Sequence, residues 1–300
     1  MKVLKSIPFF FVSFLLVVWY AASCERQQKP VKLGLALNFG GLVGQEAEYI
    51  RDGALLAAEE VNNQGGIQGR PLHLLIRDDL NSEEGILAAD AALIEEGVVA
   101  IIGHSFCEQT LIAAPFVTSR DTLLFIPFTS NSQLSGKDDL IFLGSVDNAI
   151  MARALATVFA QRDIASAVFL IDRANGGFAE DYLARTRQVF SGSLRAVHFD
   201  SGADNIAWPA LVQRLLAGEP QAVMLVANAY YSGIMAQKLR EHGYQGDLLA
   251  TPWAQSPELL RYGGHAVDGL LLLSCVFPNP SQPGYSEFAR GVRERFGRPV

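Results

Sequence analysis

The chain has 300 residues, of which 50% are hydrophobic and 18% charged, with a formal net charge of −7. That supply of apolar side chains excludes a disordered or low-complexity chain and suffices for two compact units or one large one. The acidic balance argues against a polyanion, so no nucleic-acid partner is expected. Three cysteines make no disulfide framework, and no CxxC or Cys/His pair has metal-ligand spacing, so neither a metal nor a cofactor is expected.

The start of the chain reads as an export signal. Lys2 and Lys5 precede a short apolar run, Ile7 to Tyr20, which is shorter than the ~20 residues that span a bilayer. Small residues Ala21, Ala22 and Ser23 then lead to Cys24. This is the pattern of a signal peptide over 1–23, with a permanent membrane anchor as the alternative. The AAS-C junction is similar to a bacterial lipobox, which implies lipid on Cys24 and a polar tether over 24–30, or else a soluble secreted protein.

From Val31 strands and helices alternate. VKLGLAL (31–37) predicts a strand, followed by a Gly-rich loop (38–44) and a helix over 46–62. GGIQGRP (65–71) predicts a turn, LHLLIRDD (72–79) a strand, and 81–96 a helix opening on Asn-Ser with Glu83 and Glu84 in its first turn. Strands follow at 98–103 and 122–128 around a helix at 108–120. A second series has helices at 148–161, 178–190, 208–217, 231–242 and 256–262. Its strands fall at 166–172, 194–200, 222–228, 247–251 and 269–277, with the join between the two series near 141–147. Such order predicts an α/β fold of parallel sheets covered by helices, and residues just after each strand are the candidates for ligand contact.

Enzyme signatures are weak. GHSFC (103–107) places Cys107 where the nucleophile elbow needs Gly, and the five histidines suggest no triad. Gly40-Gly41-Leu-Val-Gly44 fits neither phosphate-loop pattern and reads as a permissive loop. Asp78 and Asp79 point to opposite faces of a strand, which favours a structural role over a metal pair. Cys107 and Cys275 are expected to be unpaired and to lie in different parts of the cleft architecture.

DGALLAAEEVNNQGGIQGRPLHLLIRDD (52–79), AIIGHSFCEQTLIAAP (100–115), LLFIPFTSNSQLS (123–135), DRANGGFAEDY (172–182), MAQKLREHGYQGDLLATPW (235–253) and AVDGLLLL (266–273) occur in this order. Together they resemble the type I periplasmic binding proteins, the branched-chain amino-acid substrate-binding proteins of ABC transporters, over about 31–297. The resemblance implies two similar Rossmann-like lobes of parallel sheets flanked by helices, joined by a hinge, with ligand in the cleft. The N-terminal lobe would comprise 31–146 plus 278–300, and the C-terminal lobe 147–277. Members usually continue past a motif like FGRPV, so the chain is read as cut short.

By the same resemblance, a ligand carboxylate would lie against Ser105, Phe106 and Cys107 and against Phe128, Thr129, Ser130 and Asn131. Helix N-termini suit such a group, although Ser130 and Asn131 also read as a cap or turn. Asn175 stands near a family tyrosine, Tyr230 or Tyr231 falls in the next loop, and Trp253 falls where amino-acid binders commonly carry an acid. The implied function is capture of a small amino-acid-like, carboxylate or amide ligand by a monomer and its delivery to an ABC permease at the membrane. A ligand-sensing module is the alternative, and no catalytic residues are assigned.

Overall fold

The computed structural model describes residues 29–40, 44–275, 279 and 281–298. The export signal over 1–23 and Cys24 lie outside the described residues. No helix among the described residues is long and apolar enough to cross a membrane.

Two five-stranded parallel sheets organise the chain. The first contains β1 (Val31–Leu37), β2 (Leu72–Asp78), β3 (Ala100–Gly103), β4 (Leu123–Ile126) and β5 (Ile141–Leu143), in the order β2-β1-β3-β4-β5. The second contains β6 (Ser166–Asp172), β7 (Ser193–Phe199), β8 (Ala222–Val226), β9 (Asp247–Ala250) and β10 (Leu271–Leu272), in the order β10-β9-β8-β6-β7. Pairing runs from Val31↔Leu72 to Leu37↔Asp78 in one and from Ser166↔Ser193 to Asp172↔Phe199 in the other. β6 and β8 are almost continuously apolar because helices cover both faces of the sheet.

α1 (Gly44–Asn63), α2 (Glu83–Glu95) and α3 (Cys107–Thr118) flank the first sheet, whereas α4 (Asn148–Gln161), α5 (Gly176–Val189), α6 (Trp208–Leu216), α7 (Ala229–Glu241) and α8 (Pro257–Gly263) belong to the second series. Their starts follow capping chemistry. Ser82 accepts from Gly85 N at α2, Asp147 from Ile150 N at α4, and Asn228 from Tyr231 N at α7. The turn before β2 requires glycine at 66, where φ is +75° and an added Cβ would lie 2.1 Å from Arg70 O.

Alternation along β6 divides the second core. Val168 and Leu170 pack with Leu215, Val223, Leu225 and Leu239 on one face. Phe169 and Ile171 pack with Phe159, Tyr182, Met224 and Val226 on the other. The first sheet has smaller clusters, one centred on Leu93, Ile101, Leu124 and Ile126.

The structure departs from the sequence reading in three places. The segment at the join contains β5, a three-residue edge strand on which Phe142 stays 52% exposed. Among the described residues, the last strand covers only Leu271–Leu272 of the expected 269–277. An unpredicted helix, α9 (Tyr285–Phe296), returns to α1, with Gly291 against Leu56 and Arg295 Nη2 3.0 Å from Glu59 Oε1.

Candidate functional site

A cavity of about 360 Å³ lies between the two sheets. Its lining follows the strand order: Ser105, Phe106 and Cys107 after β3, Phe128 and Ser130 after β4, and Ser145 after β5. The second sheet contributes Asn175 and Phe178 after β6, Pro252, Trp253, Gln255 and Ser256 after β9, and Cys275 after β10. Tyr49 and Ile50 of α1 complete it. This is the carboxyl-end crevice in which open parallel sheets hold ligands.

The first wall is held from behind. Asp79 and His104 are fully buried, with His104 Nδ1 2.8 Å from Asp79 Oδ2 and His104 Nε2 3.3 Å from Asp90 Oδ1. Burial by itself would lower the imidazole pKa, but the two carboxylates outweigh it and raise it to about 9. Gln109 donates from Nε2 to Asp79 Oδ1 and accepts from the Phe106 backbone N–H, tying the start of α3 to the acid. Asp79 therefore has the structural role its position suggested. Ser105 Oγ accepts from Asn38 N at 3.0 Å, and Ser130 Oγ lies 3.5 Å from Ser145 Oγ. Cys107 opens α3, so the positive end of that helix meets the cavity. Burial pushes its thiol up to about 11, which keeps it a neutral, weakly nucleophilic group at neutral pH.

The second wall is built differently. Trp253 sits edge-on to Phe106 across the cavity, with ring centroids 6.1 Å apart. Phe178 stacks on Tyr182 behind it. Asn175 is 6% exposed, yet its Oδ1 has no hydrogen-bond partner, and neither does Trp253 Nε1. An unpaired buried group of this kind costs about 1–3 kcal/mol. Asp172, at the end of β6, accepts from Ala174 N and Ser201 N at 3.1 Å and does not line the cavity. Burial pushes its carboxyl up.

Seven of the eleven residues singled out from the sequence line the cavity: Ser105, Phe106, Cys107, Phe128, Ser130, Asn175 and Trp253. Thr129, Asn131, Tyr230 and Tyr231 do not. Thr129 Oγ1 lies 3.1 Å from Thr110 Oγ1, and Asn131 spans to Gly177 O. The Asn228 cap directs Tyr231 into the second core, where its hydroxyl donates to Ser201 O at 2.9 Å. Tyr230 packs edge-on to Tyr262, 4.6 Å between centroids. Cys107 and Cys275 are unpaired as expected, but both line this one cavity rather than lying apart. Phe178, Pro252 and Gln255 lie in the post-strand segments 173–178 and 252–255, which the sequence marks as candidates without singling these residues out, whereas Tyr49, Ile50, Ser145, Ser256 and Cys275 were missed as lining. For Ser145 and Ser256, position just after a strand or its turn was the available signal.

Polar contacts tie the two sides beside the cavity. Asp181 of α5 accepts from Ser132 N at 2.9 Å, Ser132 Oγ at 2.7 Å and Asn148 Nδ2 at 2.8 Å, and Arg185 Nε lies 3.2 Å away. Burial pushes its carboxyl up, but these donors and the Arg185 charge prevail and hold it below the usual carboxylate range. Glu108 Oε2 accepts from Gly177 N at 2.9 Å, joining the starts of α3 and α5. A Cβ at Gly177 would lie 3.0 Å from Glu108 Oε2 and 3.2 Å from Leu111 Cδ1.

Comparison with known proteins agrees with this architecture. The chain is 22% identical over 255 residues to the leucine-, isoleucine-, valine-, threonine- and alanine-binding protein of Pseudomonas aeruginosa, covering 83% of this chain and 68% of that protein. Its fold is shared with a leucine binding protein from Thermotoga maritima at a TM-score of 0.78 and 22% identity, over 90% of this chain and 77% of that one. It is shared equally with a fatty acid ABC transporter substrate-binding protein from Thermomonospora curvata, at a TM-score of 0.76 and 17% identity, over 90% and 70%. Residues 30–300 match the family described as periplasmic binding protein, and the chain belongs to that family.

Proposed function

We propose that this protein is an exported, non-catalytic solute-binding protein. It captures a small amino-acid-like, carboxylate or amide ligand between its two lobes and delivers it to an ABC importer, with Cys24 carrying the lipid that tethers it to the membrane. The supporting observation is a cleft cavity whose walls come from the carboxyl ends of both sheets. Ser105, Ser130 and the start of α3 suit a ligand carboxyl or carbonyl oxygen, because a helix N-terminus favours partial negative charge. Asn175 and Trp253 contact the ligand from the other side, and Phe106 and Phe128 cover its apolar part. Ligand that touches both walls favours the closed arrangement by its differential affinity for it.

Isothermal titration of the mature protein against apolar amino acids, their deaminated acids and short amides tests this reading. Micromolar binding, about −8 kcal/mol, with compaction in small-angle scattering is the expected result. An absence of binding across the panel, or turnover of a bound compound, rejects it. Intact-mass analysis of the membrane fraction checks the lipid on Cys24.

A further inference from the structure

Part of the cavity lining does not come from a strand end. Tyr49 and Ile50 reach it from the second turn of α1, so their place depends on how that helix is held. The inner side of α1 packs on the first sheet, with Ala47, Ile50 and Ala54 beside Leu35 and Leu37. Its outer side carries α9.

The contact between these helices follows one stripe. Tyr49, Asp52, Leu56 and Glu59 recur at helical spacing along α1. Gly291 lies against Leu56, and Arg295 pairs with Glu59. Just beyond α9, Arg298 reaches the turn of α1 that lines the cavity. Its Nη2 donates to Asp52 Oδ2 at 2.8 Å, and its guanidinium carbon lies 4.0 Å from the centre of the Tyr49 ring. Asp52 is 4% exposed and is fixed in turn, because its Oδ1 accepts from Arg51 Nε at 3.0 Å and Nη2 at 2.8 Å. The planar guanidinium of Arg298 is therefore anchored by a buried carboxylate while it lies on an aromatic face, a pairing that a flexible ammonium does not reproduce. Arg298 itself does not line the cavity.

We propose that Arg298 is a positioning residue for the binding site. It holds the Tyr49 ring in place as the α1 wall, so α9 closes one side of the cavity without touching what the cavity contains. Removing the guanidinium frees the ring to take another rotamer and opens that side. The coupling is reciprocal, so contents that pack on Tyr49 also secure α9. The assignment concerns the wall and stands apart from the identity of the solute.

Cys107 reports whether the cavity is closed, since it lines the cavity and is only 3% exposed. Its alkylation by N-ethylmaleimide is followed in the mature protein at fixed pH, with the site read by peptide mass. The Arg298 side chain is 28% exposed, so its ring contact is partly removed from water. Arg298→Ala should raise the Cys107 rate about fivefold. Arg298→Lys keeps the charge without the planar fork and should raise it less. Arg295→Ala removes an exposed pair farther along the same helices and should leave the rate within about twofold of the parent. In a Tyr49→Leu background, Arg298→Ala should add nothing, because the ring it positions is gone. A general loosening of α9 would instead raise the rate in both backgrounds. An unchanged rate in Arg298→Ala, an equal rise in Arg295→Ala, or an additive effect with Tyr49→Leu overturns the assignment.

Discussion

The two walls of the cleft are made by different means. On the first, Ser105, Phe106 and Cys107 stand in front of a buried charged array in which His104 Nδ1 and Gln109 pair with Asp79, while His104 Nε2 and the Asp90 carboxylate face each other at 3.3 Å without a hydrogen bond. On the second, Asn175 and Trp253 have polar atoms that nothing in the protein satisfies. The first wall is backed by ionisable groups and presents hydroxyls and a helix start, whereas the second is backed by aromatic packing and presents mainly apolar surface. On the solute-capture reading proposed above, the first wall suits a feature common to many solutes, and the fit against the aromatic second wall varies with the rest of the molecule.

The contrast is broken most severely by His104→Leu, which leaves Asp79 and Asp90 buried without their partner. A loss of about 3–5 kcal/mol is expected, read in calorimetry as a drop in Tm of roughly 10 °C. A Tm within 2 °C of the parent, taken as roughly one kcal/mol, would refute the pairing. The pH dependence of stability tests the same array without a mutation. Because the folded-state pKa of His104 is raised from 6.5 to about 9, its contribution is complete below the ordinary value and is lost as pH rises through 9. Stability should fall by on the order of 3 kcal/mol between these limits, and His104→Gln should flatten that profile.

Asp181 concerns the seam between the walls. Asp181→Ala strands Ser132 and Asn148 and should cost about 2 kcal/mol, with ligand affinity falling roughly tenfold by titration as the closed arrangement loosens. Since the carboxyl of Asp181 is held low, its contribution is present above the usual carboxylate range and disappears as pH falls through the lowered value. The smallest effect is expected at Phe128, which lines the cavity but remains 65% exposed. Phe128→Ala should change stability by about 0.5 kcal/mol or less, as exposed positions do, while weakening ligand several-fold. A stability loss larger than the affinity loss would place Phe128 in the scaffold instead.

Much of the fold was legible because its strongest elements are locally specified. β1, α4 and β6 cover the same residues in the structure as in the sequence pattern, each being a long apolar or well-capped segment. β5 was not legible. Its three residues form an edge strand held only by β4, and a run that short carries no period. α9 was missed although Tyr285, Phe288, Val292 and Phe296 recur at helical spacing, because the expected elements stopped at the last strand and the remaining segment was not tested for that period. The first wall follows directly from the ends of β3 and β4. The second depends on where helix starts turn their side chains. One cap at Asn228 sends Tyr231 to Ser201 in the core, while Phe178, two residues into α5, reaches the cavity. Tyr49 and Ile50 come from the middle of a helix, where no strand end announces them.

The close approach at Gly177 gives the molecule a dimension that can be engineered. The starts of α3 and α5 meet with no side chain between them at this position, so the spacing across the seam is set by a hydrogen atom. Larger residues there act as graded shims. Alanine would push only against the flexible end of Glu108 and against Leu111, whereas valine or leucine would wedge the lobes apart by increasing amounts. On the solute-capture reading, such a series would convert one glycine into a dial for how long the cleft retains what it has closed on.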